Sequence, residues 1–162
     1  MTAERSLTPM SPSGSAASLP PVPATAPTFD ALSVGDAAPP LVIEKLTRTN
    51  FVRYAGASGD FNPMHHDDTI ATSVGNPSVF GHGMLTAGFM ARVVKDWFGP
   101  EALRCFQVRF AKQVWPDDTL TCTATVTGKR DEGGEHLVDL DLLVANQDGV
   151  QAITGSATAA VG

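Results

Sequence analysis

The hydrophobic positions change period along the chain, and each change predicts a different element. Leu41-Val42-Ile43-Glu44-Lys45-Leu46, entered through Pro39-Pro40, predicts a first strand. Thr47 or Thr49 then stands where a threonine oxygen can cap a short helix over residues 50–57, with Gly56 and Gly59 placed to end it. From Asn62-Pro63 to Gly83, roughly twenty residues follow with little periodicity, and a loop of that length in a small domain is usually functional.

Residues 84–98 have the length of a helix and carry apolar side chains nearly all the way round: Met84, Leu85, Ala87, Phe89, Met90, Ala91, Val93, Val94, Trp97 and Phe98. Such a helix is expected to be surrounded by protein. It falls short of the about 20 residues that span a bilayer, and Arg92, Lys95 and Asp96 interrupt its second half, so no membrane association is expected. Gly99-Pro100 stop it.

After the helix the period becomes two. Phe106, Val108 and Phe110 alternate with Gln107 and Arg109; Leu120, Cys122, Ala124 and Val126 alternate with threonines; Val138, Leu140, Leu142 and Val144 alternate with polar positions, and residues 150–161 supply a last strand. Turns at Trp115-Pro116-Asp117-Asp118, Asp131-Glu132-Gly133-Gly134 and Gln147-Asp148-Gly149 separate these half-buried antiparallel strands. The order predicts an α+β fold in which a curved five-stranded antiparallel sheet wraps a central apolar helix. Such a sheet keeps open edges, so a dimer with a second copy or a related chain is expected.

Composition sharpens this picture at the N-terminus. Residues 1–28 are mostly Ser, Ala, Thr and Pro with only Glu4 and Arg5 charged, and hold six of the 12 prolines, which predicts a flexible tail ahead of one folded domain over residues 29–162. Its repeated prolines break any continuous apolar stretch, so no secretory leader is expected. A net charge of −6 and the absence of a Lys/Arg cluster exclude a nucleic-acid surface. Cys105 and Cys122 lack the close pairing of a metal knuckle or redox site; both are expected to be buried free thiols in a cytoplasmic protein.

The chemistry concentrates in Gly59-Asp60-Phe61-Asn62-Pro63-Met64-His65 and in Phe80-Gly81-His82-Gly83-Met84. A carboxylate, an amide and an imidazole share a tight turn, and a glycine opens onto a helix N-terminus; these are the parts needed to add water across a polarised double bond. Asp and His side chains titrate near about 3.9 and about 6.5 when unperturbed, which suits a reaction that needs both proton removal and delivery. The competing reading is that Asp60 and Asn62 only form Asx turns, but a turn has no need of His65. Asn62 divides evenly between binding and scaffolding, and His82 is expected to be structural. A metal on His65-His66-Asp67-Asp68 is not expected, because adjacent residues rarely converge on one ion and His136 lies far off in a strand.

Ser58-Gly59-Asp60-Phe61-Asn62-Pro63-Met64-His65 together with His82-Gly83-Met84 resembles the motif of the MaoC-like dehydratases, a hot-dog family that includes the (R)-specific enoyl-CoA hydratases. The resemblance covers residues 29 to about 161. It implies that Asp60 and His65 hold and activate a water, and that the Gly83 amide receives the thioester carbonyl oxygen. It also implies an acyl thioester substrate on coenzyme A or acyl carrier protein, and no cofactor. The acyl pocket is expected beside the central helix, bounded by Met84, Phe89, Met90 and Phe110. The alternatives are a heteromeric dehydratase in which this chain is the catalytic member, inactive alone, and a hot-dog protein that binds acyl thioesters or acts as a thioesterase, although hot-dog thioesterases normally lack this motif.

Overall fold

A computed structural model describes residues 26–162, so the segment expected to be a flexible tail lies outside the described residues except for its last three. Five strands, β1 (Leu41–Ile43), β2 (Leu103–Phe110), β3 (Leu120–Glu132), β4 (Glu135–Asn146) and β5 (Gln151–Ala160), form one antiparallel sheet in the order β1-β3-β4-β5-β2. Alternation fixes its inner face. Leu120, Cys122, Ala124 and Val126 of β3, Val138, Leu140, Leu142 and Val144 of β4, and Ile153, Ala157 and Ala159 of β5 are all buried. Helix α3 (Gly83–Phe98) lies on that face and touches β2, β3, β4 and β5, with Met90 and Val94 at 0% exposure. This is the expected hot-dog arrangement.

Two shorter helices lie between β1 and α3. Helix α1 (Arg48–Ser58) starts at Thr47, whose hydroxyl accepts from the Asn50 amide while the Asn50 side chain accepts from the Thr47 amide at 2.8 Å. It runs through Gly56 and ends at Gly59, whose φ of 77° is the left-handed value that caps a helix and turns the chain toward Asp60. The aperiodic stretch that follows contains a 3-10 turn (Pro63–His65) and helix α2 (Asp68–Ser73), capped by the Asp67 carboxylate. Six residues are too few to show a helical period, so α2 left no pattern in the sequence.

Three expectations need correction. The first strand ends at Ile43 rather than Leu46, because Lys45 takes a left-handed φ of 45° that breaks the extended run. Helix α3 is not enclosed: Met84, Gly88 and Lys95 are exposed along one stripe, Met84 by 60%, and the buried side carries Ala87, Met90, Val93, Val94, Trp97 and Phe98. Cys122 is buried, and burial pushes its thiol up to about 12, but Cys105 is exposed. The period-two pattern explains this, since Cys105 shares the outward phase of Gln107 and Arg109 on the edge strand β2.

Strands β2 and β5 approach closely at Gly155. A Cβ there would sit 2.2 Å from the Gln107 carbonyl oxygen and 3.1 Å from the Val108 Cα, both backbone atoms that move only if the strands separate. Gly155→Ala is therefore expected to destabilise the fold by at least about 1–3 kcal/mol, the range for overpacking a filled interior, read as a lower urea midpoint. An unchanged midpoint would show that the strands part freely.

Candidate active site

The turn after α1 aims Asp60 and His65 at each other. The Asp60 amide donates to the Ser58 hydroxyl, and Asp60 Oδ1 accepts from the Asn62 amide at 3.2 Å, which leaves Oδ2 uncommitted by the loop. Asn62 Oδ1 accepts from the Met64 amide and so starts the 3-10 turn that carries His65. The Asx turn of the competing reading is present, and it takes one Asp60 oxygen while leaving the other free. Asn62 is engaged in scaffolding.

His65 is buried, at 8% exposure, and its Nδ1 lies 2.7 Å from the Phe80 carbonyl oxygen. A carbonyl only accepts, so Nδ1 carries the proton, and in the neutral ring Nε2 presents a lone pair. That nitrogen lies 3.9 Å from Asp60 Oδ2. The separation is beyond a direct hydrogen bond and suited to a bridging water. The Phe80 carbonyl is itself held in place from outside the pair. Asp68 takes two hydrogen bonds from the Arg48 guanidinium, at 2.6 and 3.1 Å, and accepts from the Val79 amide at 3.1 Å and the Ser78 hydroxyl at 3.2 Å. The Arg48 guanidinium holds the Asp68 carboxyl below the usual carboxylate range.

His82 packs against His65, ring centroids 3.7 Å apart and planes 28° apart, and donates from Nε2 to the Asp60 carbonyl oxygen at 3.1 Å. These contacts reach both members of the pair. Burial pushes its pKa down from the ordinary 6.5.

Asp60, His65 and His82 present donor atoms within 4.8 Å of one another, a grouping different from the His65-His66-Asp67-Asp68 run weighed on sequence. The rings stack nearly parallel, so their in-plane lone pairs do not meet at one point, and one nitrogen of each is taken by a carbonyl. Asp67 caps α2 and Asp68 pairs with Arg48, which disperses the other run. Neither set fits an ion well.

Gly83 opens α3, where His82 supplies no side-chain cap and the first amides of the helix point outward. It borders a cavity of about 250 Å³ whose wall includes Phe80, Gly81, Thr86, Phe110 and Val114. A Cβ on Gly83 would stand 3.1 Å from the Phe110 ring, inside this space. Of the four residues expected to bound an acyl pocket, Phe110 lines the cavity and remains 51% exposed. Met84 points to the outer side of α3, Met90 is fully buried in the core, and Phe89 packs half-buried against it, so these three do not line this cavity. All-round hydrophobicity could not tell which side of the helix faces it. Phe80 and Thr86 were missed. Thr86 was legible as a lone hydroxyl in an apolar helix, whereas Phe80 acts through its backbone and leaves no sequence signal.

Because His82 resists protonation in the folded state, its contribution to stability is fully present above about pH 6.5 and is lost as the pH falls through that value toward its lowered pKa. Thermal melting between about pH 7.5 and about pH 5.5 is expected to fall more steeply in the wild type than in His82→Gln, which keeps a donor for the Asp60 carbonyl and does not titrate. Parallel slopes would remove His82 as the cause.

Residues 36–147 match the family described as MaoC like domain. The 3-hydroxyacyl-thioester dehydratase X of Mycobacterium tuberculosis is 36% identical over 99 residues, 61% of this chain and 33% of that protein. The chain spans a third or less of the length of the first three curated relatives it matches. Among solved structures, the R-hydratase PhaJ1 of Pseudomonas aeruginosa superposes with a TM-score of 0.74 at 25% identity, covering 83% of this chain and 84% of that one. The ChsH1-ChsH2 complex of Mycobacterium tuberculosis gives 0.70 at 26% identity, covering 80% and 98%. With the family match extending over more than half of its length, and the same fold in these structures, the chain belongs to the MaoC-like domain family of hydratases and dehydratases.

Proposed function

We propose that this chain catalyses the reversible syn addition of water to trans-2-enoyl thioesters, giving (R)-3-hydroxyacyl thioesters. One observation carries the reading: Asp60 Oδ2 and His65 Nε2 face each other at 3.9 Å, both as acceptors, in a turn that leaves neither satisfied by the other. A water between them has both hydrogens engaged and its oxygen lone pairs turned outward. The oxygen attacks C3 as its proton passes to Asp60, with His65 orienting the water and relaying the proton. The C2=C3 electrons move onto the thioester carbonyl oxygen, where the Gly83 amide and the positive end of α3 stabilise the charge. The enolate then collapses by taking that proton at C2 from the same pair, on the face that received the water. The names of the thioester dehydratase and R-hydratase relatives support the substrate class and the stereochemistry. The thioester is carried by coenzyme A or acyl carrier protein, and no step needs a metal or organic cofactor.

A second hot-dog chain completes the assembly. The outer edge of β2 is open, with Arg104, Cys105, Gln107 and Arg109 exposed, and apolar Phe61, Met84 and Phe110 stand uncovered. A copy of this chain is the simplest partner. The likeness to the ChsH1-ChsH2 complex supports a related chain as the alternative, with this chain as the catalytic member because it carries Asp60 and His65.

Crotonyl-CoA hydration, followed as loss of the enoyl thioester absorption, is expected to fall by at least about 10²–10⁴-fold in Asp60→Asn and in His65→Ala. Asp60→Asn should melt like the wild type, since the amide oxygen can still accept from the Asn62 amide. Wild-type rates in either variant would end the proposed mechanism. Light scattering is expected to give about twice the 16.9 kDa chain mass for the active species. A fully active monomer would remove the need for a partner.

A further inference from the structure

The first turn of α3 holds a polar group that neither the fold nor the proposed water-activating pair uses. Thr86 is 2% exposed, and its hydroxyl oxygen has no hydrogen-bond partner among the described residues. A helical threonine ordinarily returns its hydroxyl to the carbonyl one turn back. Here that carbonyl, of His82, already receives the amides of Leu85 at 3.1 Å and Thr86 at 3.3 Å. Burying a hydroxyl unpaired costs its full desolvation, a cost that valine, of the same shape, would avoid. The arrangement makes sense if a ligand supplies the missing partner.

The position of the hydroxyl says what that partner is. Side chains on an α-helix lean toward its N-terminus, so Thr86 reaches back over the residue three places before it, which is Gly83. Gly83 has no side chain to intervene, and both residues line the same cavity. Lys112 and Gln113 also line the cavity, and neither gives Thr86 a hydrogen bond; Phe80, Phe110, Val114 and Ile153 offer no side-chain partner to a hydroxyl. A carbonyl oxygen in front of the Gly83 amide accepts one hydrogen bond there and has a second lone pair to fill. We propose that the Thr86 hydroxyl donates to the thioester carbonyl oxygen of the substrate, as a second oxyanion donor beside the Gly83 amide. The inference rests on the hydration reading of this site and deepens it. As the C2=C3 electrons reach the carbonyl oxygen both hydrogen bonds become charge-assisted, so the hydroxyl favours the transition state over the bound substrate.

Thr86→Val removes the hydroxyl and keeps the shape; Thr86→Ser keeps the hydroxyl. In the full chain, Thr86→Val is expected to lower kcat for crotonyl-CoA by about 10–100-fold, the size of one lost hydrogen bond to a charged group, with KM little changed. Its melting temperature should be equal to or above that of the wild type, and Thr86→Ser should retain most of the wild-type kcat. A second readout is independent of turnover. A conjugated 2,4-dienoyl-CoA absorbs further to the red when its carbonyl is polarised, and the shift on binding should shrink in Thr86→Val and persist in Thr86→Ser. Wild-type kcat and an unchanged shift in Thr86→Val would overturn the role of Thr86 while leaving the hydration reading in place. A wild type that hydrates no enoyl thioester, yet shows a shift that Thr86→Val reduces, would sustain the carbonyl contact and sink the hydratase. A wild type that binds neither thioester would overturn both.

Discussion

The bond between His65 Nδ1 and the Phe80 carbonyl oxygen is the constraint on which the site depends. As a contribution to folding it is worth about 1 kcal/mol. Its chemical effect is larger, because it decides which imidazole nitrogen holds the proton and so turns Nε2 into an acceptor facing Asp60. It also ties the loop after α1 to the segment that enters α3, joining the two stretches that carry the proposed chemistry. The Arg48-Asp68 pair steadies the same junction from outside, through the Val79 amide and the Ser78 hydroxyl. With both of its side chains half exposed, that ion pair adds geometric order more than stability.

The sheet and α3 serve this junction by being rigid. The inner faces of β3, β4 and β5 bury a continuous apolar layer against one side of α3, and that packing sets where the helix begins. A helix N-terminus can serve the proposed oxyanion only if its position does not drift, and anchoring Met90 and Val94 in the core holds it. The exposed stripe through Met84, Gly88 and Lys95 and the open edge of β2 are the parts of the described chain that its own packing leaves uncovered.

The fold was largely legible because its signals are local. Alternation in β3 and β4 predicted the buried set residue by residue, and the Gly99-Pro100 and Gly133-Gly134 breaks marked the ends of α3 and of the β3 strand. Failures occurred where local pattern carries no direction. An apolar residue on every side of α3 does not say which side meets the sheet: Met84 is exposed and absent from the cavity wall, and Met90 is core. Residue type alone suggests a buried Cys105, but its phase along β2 puts it outside. Helix α2 is polar and short, and its capping Asp67 lies in a stretch that shows no period in the sequence.

By itself the sequence determined the chemistry available: a carboxylate and an imidazole five residues apart on a Pro-containing turn, and a glycine at the start of an apolar helix. These are matters of residue identity and short-range spacing, which the chain carries regardless of how it packs. Tertiary structure alone decided that His65 meets the Phe80 carbonyl, that His82 stacks upon it, and that Thr86 is buried beside Gly83 without a partner. Each of these joins groups brought together by the packing of α3 against the sheet, or depends on a backbone carbonyl, which every residue but none in particular announces.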